Sequence, residues 1–171
     1  EYTIAQARNN VDCNFIGVDI KGQRVWRGAK TINDEDIRNV AFLRTRIEFI
    51  DRYFAPDEIS GIWLTFSDPQ PKDEKGTKRI TSSHFIEKRY RNILKPGSLI
   101  HVKSDSPLVY ALSKESYEEA NYQINYDSAD VYGELIHRVP DDLKELLDVK
   151  TFYEQMWLEE GRKIHYLQIQ I

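Results

Sequence analysis

Three aspartates stand where short apolar segments end: Asp19 after Phe15-Ile16-Gly17-Val18, Asp68 within Ser67-Asp68-Pro69, and Asp105 within Ser104-Asp105. Arg44-Thr45-Arg46 closes a fourth such segment. A carboxylate at the end of an early strand of an alternating sheet commonly accepts hydrogen bonds from ribose hydroxyls. Around Asp68, Pro69 and Pro71 restrict the backbone and can hold the carboxylate at a set angle. Taken singly, each residue is also what an ordinary turn or helix cap carries, because Asp and Ser favour such places. Recurrence at three strand ends is the pattern of a sheet that binds nucleotides.

The elements that must position these groups alternate along the chain. Tyr2 to Asn10 reads as a helix and Cys13 to Ile20 as a buried strand. Arg24 to Thr31 reads as a helix, Asn39 to Leu43 as a strand, Ile47 to Phe54 as a short helix stopped before Pro56, and Gly61 to Phe66 as a strand. Ser67 to Lys78 holds two prolines, Pro69 and Pro71, and charges of both signs, which predicts a long loop. Within it, Lys72 to Lys78 is expected to move freely without a ligand. Ser82 or Ser83 caps a helix expected to run to Leu94, closed by Lys95-Pro96-Gly97. Ser98 to Lys103 reads as a strand, Leu108 to Asn121 as a helix, Tyr122 to Tyr126 as a strand, Thr151 to Gly161 as a helix and Tyr166 to Ile171 as a strand. Such alternation predicts one open α/β sheet with helices on both faces, in a single domain spanning 1–171. Ligands of such sheets lie outside the carboxyl ends of the strands.

Composition narrows the function classes. The chain has 171 residues, 40% hydrophobic and 30% charged, which is globular and not disordered. The net charge of −4 excludes a uniformly basic nucleic-acid coat but not a local basic face. Lys21 to Lys30 carries four basic residues and no acid, and Lys72 to Lys103 carries nine against three acids. Both runs suit a phosphate backbone. Glu115 to Glu160 has thirteen acids against three basic residues and is expected to face away from RNA. One cysteine, Cys13, excludes an intrachain disulfide and a cysteine-based zinc cage, and is expected to be an inert core residue. Trp26, Trp63 and Trp157 are expected to be core or half-buried packing, and the four histidines to be structural. No apolar run approaches the roughly 18 residues of a membrane span, and no signal peptide precedes the first strand. A cytoplasmic setting is the expectation.

Several segments together carry a resemblance. Phe15-Ile16-Gly17-Val18-Asp19-Ile20-Lys21-Gly22 with Arg24, Trp26, Arg27, Gly28, Ala29 and Lys30 resembles the bacterial tRNA (guanine-N7)-methyltransferases. So do Asn39 to Arg44, Glu58 to Phe66, the Ser67-Asp68-Pro69-Gln70-Pro71-Lys72 loop through Lys78 to Ser82, Tyr90 to Gly97, His101 to Asp105 and Thr151-Phe152-Tyr153-Glu154. The resemblance implies a class I S-adenosylmethionine-dependent methyltransferase fold. By the same resemblance, Glu1, Asp19 and Thr45 serve the cofactor, Asp68 is catalytic, and Lys72, Asp105, Thr151, Phe152, Tyr153 and Glu154 bind substrate. The family carries a strand and a glycine-rich loop just before the residues matching Glu1-Tyr2, so the expectation is a chain without them and with a weakened cofactor site. Ser67 replaces the first proline of the family's Pro-Asp-Pro, Thr45 stands where many relatives have Asp, and Ser104 replaces a common Thr.

The implied reaction makes N7-methylguanosine in the variable loop of tRNA. Guanine N7 has a free lone pair at neutral pH, so catalysis rests on positioning and electrostatics and not on a general base. Guanine's N1–H and N2–H donors suit a carboxylate, whereas adenine presents an acceptor at N1. Asp68 is the first candidate to hold that edge, with Asp105 and Glu154 behind it. The alternatives are a class I methyltransferase with another substrate and an RNA-binding module with an impaired cofactor site. Monomer and homodimer remain equally open.

Overall fold

Two apolar stretches, residues 98–104 and 165–169, are buried almost throughout on both faces and form the centre of the fold. The computed structural model describes residues 1–70 and 78–171. Lys72 and the rest of the expected mobile stretch up to Thr77 lie outside the described residues. In chain order the elements are α1 (Tyr2–Asn9), β1 (Phe15–Asp19), α2 (Gly22–Asp34), β2 (Val40–Arg44), a 3-10 turn (Ile47–Arg52), β3 (Ile59–Thr65), α3 (Ser83–Phe85), β4 (Leu94–Ser104), α4 (Pro107–Glu119), β5 (Gln123–Ser128), a 3-10 turn (Leu135–His137), α5 (Asp141–Leu147), α6 (Phe152–Glu159) and β6 (His165–Gln170).

The strands form two sheets among the described residues, not the single sheet expected. β1 pairs with β2 in parallel, and β3-β4-β6-β5 form a mixed sheet in which β6 runs antiparallel to β4 and β5. On one face of the larger sheet, Leu64, Ile100, Val102, Leu167 and Ile169 pack against Phe85, Ile86, Tyr90 and Tyr117. A second cluster joins Val131, Leu135, Leu143, Leu147, Ile164 and Tyr166, with Trp63 and Tyr126 beside it.

Helix α1 aligns the two sheets. At its last turn, the Asn39 amide just before β2 donates to the carbonyls of Ala7, Asn10 and Cys13. At its first turn, the Tyr2 ring lies 5.4 Å from Trp63 of β3 and 5.4 Å from the Lys103 ammonium near the end of β4. The helix therefore runs from the carboxyl ends of β3 and β4 to the amino end of β2. All four parallel strands finish at one edge of the molecule.

Close approach fixes α2 on its sheet. The Phe42 ring fits between β1 and α2 because Gly17 and Gly28 have no side chains there. A Cβ at Gly17 would lie 2.5 Å from Phe42, and one at Gly28 2.4 Å. This is the physical role of two glycines in the motif that surrounds Asp19.

Other expectations also change. The helix at Ser82 is capped by the Ser82 hydroxyl, which accepts from the Phe85 amide, but α-geometry lasts only to Phe85. A wider π turn follows over Ile86–Tyr90. Leu94 already belongs to β4, whose register shifts opposite Ile59 and Gly61; that irregularity accommodates Pro96 and Gly97, the latter at φ 80°. Trp26 projects from α2 with 66% exposure instead of packing in the core. Cys13 is exposed, because β1 starts only at Phe15. Finally, α5 was not read from the sequence, although Pro140 before Asp141-Asp142 and the Leu143/Leu147 spacing form a helix-start signature.

His101 is buried in β4, stacked on Trp63 with centroids 4.0 Å apart, and its Nδ1 lies 2.7 Å from the Tyr166 hydroxyl. Burial pushes its pKa down to about 3. A depressed histidine pKa means that the unfolded chain binds the extra proton. Its contribution is therefore intact above about pH 6.5 and is lost as pH falls toward 3. Urea titrations at stepped pH should show His101→Phe with a shallower acid limb than wild type, by close to one proton.

Candidate functional site

The shared edge collects the polar groups that the strands deliver. Asp19 ends β1 with its side chain partly exposed, and its Oδ1 accepts the Lys21 amide at 2.8 Å. Among the described residues its Oδ2 meets only Arg24, at 3.3 Å. The carboxylate thus keeps acceptor capacity facing out beyond the strand, as a ribose diol requires. Thr45, just past β2, is buried, and its hydroxyl lies 3.3 Å from the Tyr53 hydroxyl and 3.4 Å from the Arg46 carbonyl. Glu1 sits at the start of α1 and accepts the Phe152 amide at 2.9 Å, tying the N-terminus to the start of α6.

Asp68 follows β3 on an unusual backbone. Phe66 and Gln70 on either side have φ of 52° and 43°, a left-handed conformation that bulky residues avoid. The turn is held there by the Phe66 amide, which donates to the Lys103 carbonyl at 2.8 Å, and by the Phe66 ring against Trp157 of α6, with centroids 5.3 Å apart. Asp68 itself is exposed. Asp105 follows β4, partly buried, with Arg162 3.9 Å away. Ser106 next to it caps α4 by accepting the Val109 amide, and Pro107 occupies the first helical turn.

Thr151 to Glu154 is built differently from an open binding loop. The Thr151 hydroxyl accepts the Glu154 amide and the Glu154 carboxylate accepts the Thr151 amide, a reciprocal capping box. Glu154 has no exposed surface, and its Oε1 lies 2.7 Å from the Lys103 ammonium, which is equally buried. The Tyr132 hydroxyl donates to the same oxygen at 2.7 Å. Lys103 also donates to the carbonyls of Leu147 and Val149, each at 2.9 Å. Burial pulls the Lys103 pKa down to about 8 against the opposing pull of Glu154, so the ammonium is charged at neutral pH. Phe152 and Tyr153, by contrast, are each 60% exposed and meet edge to face.

Asp19, Asp68, Asp105, Glu1 and the Phe152-Tyr153 pair therefore share one edge, while Thr45 and Glu154 lie beneath the surface. Lys72 lies outside the described residues. The basic runs are thinner in space than in sequence. Arg24 pairs with Asp19, Lys30 with Asp34, Arg89 with Asp51 and Arg91 with Glu87, and Lys103 is interior. Lys103 was not singled out by sequence reasoning. Its signal was a lysine within the apolar run of β4, paired with the Thr-x-x-Glu spacing of a capping box.

Comparison with known proteins agrees with this geometry. A family model described as putative methyltransferase matches residues 1–167. A protein of Bacteroides thetaiotaomicron named tRNA (guanine-N(7)-)-methyltransferase is 45% identical over the whole chain, which spans 64% of that relative's length. One of Christiangramia forsetii with the same name is 42% identical over the whole chain, which spans 74% of it. Among solved structures, the 16S rRNA methyltransferase KamB superposes over 99% of this chain and 81% of its own, with a TM-score of 0.63 at 13% identity. A SAM-dependent methyltransferase from Aquifex aeolicus gives 0.56 over 92% of the chain and 69% of its own, at 12% identity. These likenesses establish the class I methyltransferase fold.

The capping box has a measurable weight. Thr151→Ala removes one half of it and should lower unfolding free energy by about 1 kcal/mol in a urea titration.

Proposed function

The chain belongs to the tRNA (guanine-N(7)-)-methyltransferase family, and from that membership we propose that it methylates N7 of a guanine in the variable loop of tRNA, with S-adenosylmethionine as donor. The observation that carries this reading is the single edge on which Asp19, Asp68, Asp105 and the exposed aromatic pair stand, each reached from a different element. The chain spans less than two thirds of the length of its Bacteroides relatives, and the reading concerns the protein that contains it. Among the described residues no helix is long and apolar enough to cross a membrane. A cytoplasmic location follows from the proposed substrate.

When bound, S-adenosylmethionine supplies an electrophilic methyl group on a positively charged sulfur. The free acceptor positions of Asp19 fit the ribose hydroxyls of such a group. The Thr45 hydroxyl is engaged with Tyr53, so Thr45 serves the adenine side through shape. Glu1, held at the start of α6, closes the cofactor side of the same edge.

Asp68 acts electrostatically. Guanine N7 attacks with its own lone pair, so no side chain removes a proton. The purine gains a positive charge as the N7–carbon bond forms and the carbon–sulfur bond breaks, with that electron pair returning to sulfur. A carboxylate beside the ring stabilises the developing charge, and one on a rigid backbone needs no reorganisation to do so. The left-handed φ values of Phe66 and Gln70 set the direction in which the backbone presents Asp68. With Glu154 engaged internally, Asp68 and Asp105 are the carboxylates left to accept guanine's N1–H and N2–H. Adenine, with an acceptor at N1, is rejected because it leaves them unpaired. Lys72 and the exposed Lys78 contact phosphate, and Phe152 and Tyr153 offer faces on which an extruded base stacks.

Asp68→Asn keeps the shape and removes the charge. Mass spectrometry of N7-methylguanosine in tRNA should show turnover lower by about 10²-fold or more, and near-normal turnover would remove Asp68 from the mechanism. Asp19→Ala should weaken S-adenosylmethionine binding by about tenfold or more in calorimetry, with tRNA affinity held.

A further inference from the structure

Among the described residues Trp26 is the one tryptophan with no ring against it. Trp63 stacks on His101, and Trp157 meets both Phe66 and Tyr153. Trp26 instead stands on the outer face of α2, mostly exposed. The helical repeat explains the placement. Gly28 is the residue of α2 that packs on Phe42 of the sheet, and a position two residues away lies on the far side of a helix. Gln23, Arg27 and Lys30 share that far side at spacings of three and four, and all three are exposed. A shallow notch beside the indole is lined by Ala29, Lys30, Asn33 and Asp34.

A lone exposed apolar side chain has no meaning by itself. This one stands among cations. The ion pairs of the described residues leave Lys21 and Arg27 without a carboxylate, and join Lys30 only to Asp34 in an exposed pair. The acids that follow Asp34 face other cations, Glu35 meeting Arg8 and Asp36 meeting Arg38. An aromatic face among such cations is what an unpaired stretch of nucleic acid needs, because phosphates find the cations and an unstacked base finds the ring. A second copy of this chain fits the face badly: a two-fold contact centred on Trp26 would set Arg27 and Lys30 against themselves. Helix α2 also starts directly after the strand that delivers Asp19 to the proposed site. Trp26 lies about 6 Å along the axis from that start, within reach of the same RNA.

We propose that the outer face of α2 is a further RNA contact: Trp26 stacks an unpaired base of the tRNA, and Arg27 and Lys30 hold the phosphates on either side of it. This rests on the reading of the protein as a tRNA methyltransferase and adds a second point of attachment, away from the guanine that is methylated. Every base has a face to stack, so the contact supplies affinity and orientation and leaves base choice to the carboxylates. The Lys30–Asp34 pair gives way to phosphate, since both of its side chains are more than half exposed and such pairs are weak.

The experiment uses the purified full-length protein that contains this chain, with Trp26→Ala, Trp26→Phe and the double variant Arg27→Gln/Lys30→Gln. Readouts are tRNA affinity by filter binding at several salt concentrations, S-adenosylmethionine affinity by calorimetry, Tm, and mass by sedimentation. Trp26→Ala should weaken tRNA binding by about tenfold at fixed salt, with the salt slope unchanged, and Trp26→Phe should recover most of the loss. The double variant should lower the slope of log affinity against log salt by about 1.5. S-adenosylmethionine affinity and Tm should stay at wild-type values in all three. Wild-type tRNA affinity in Trp26→Ala overturns the proposal, and so does a loss that extends to S-adenosylmethionine or Tm, because the indole would then support the fold. A wild-type dimer that Trp26→Ala dissociates, with tRNA affinity kept, overturns it in favour of a second copy. A wild-type protein that makes no N7-methylguanosine yet binds tRNA through Trp26 refutes the functional reading and leaves the contact standing. One that makes N7-methylguanosine while Trp26→Ala binds tRNA normally refutes the contact alone.

Discussion

A lysine and a glutamate, neither with any exposed surface, meet 2.7 Å apart at the carboxyl end of β4. Neither charge can stay in the interior alone, since the desolvation of each is repaid only by the other and by added hydrogen bonds. The pair therefore ties α6 to the sheet, and Glu154 continues the tie through its capping box to Thr151. The Phe152 amide passes it on to Glu1, and α1 passes it to the far end of the second sheet through Asn39. Two sheets that share no strand pairing among the described residues are thus held in common direction. The cost of burying charge is offset here by a fixed geometry at the edge proposed to carry the function.

That edge explains why acidic residues dominate the candidate site of an acidic protein that is proposed to bind RNA. Phosphate recognition is an affair of the surface and tolerates varied positions, because Coulomb attraction is long in range and non-directional. Recognition of a ribose or a guanine edge needs acceptors at defined places. Parallel strands supply such places, since each delivers its next residue to the same side. Asp19, Asp68 and Asp105 differ in their support: an Asx turn, a left-handed backbone and a partly buried strand end. Those differences in backbone are what would let similar carboxylates perform different tasks.

Charge counted along the chain overstated the basic faces. Nine basic residues between Lys72 and Lys103 read as one patch in sequence, yet Arg89 and Arg91 are paired with acids, and Lys103 points inward. Glu154, within the acid-rich run from Glu115 to Glu160, is likewise enclosed by the fold and paired with Lys103. A one-dimensional count cannot see pairing partners such as Asp51, because Asp51 and Arg89 lie 38 positions apart.

The alternation of apolar strands with helices, the strand-end aspartates and the family were legible in the residues themselves, because period, turn chemistry and motif spacing are local. The helix cap at Ser82 was likewise written in a short run. The extent of β4, the exposure of Trp26 and Cys13, the division into two sheets and the interior place of Lys103 were not. Each depends on which distant segment arrives alongside: Ile59 beside Leu94, Phe42 between two glycines, Glu154 beneath Tyr132. Local pattern decides what a residue is able to do, but burial is a property of its neighbours in space, and only the folded chain assigns those neighbours.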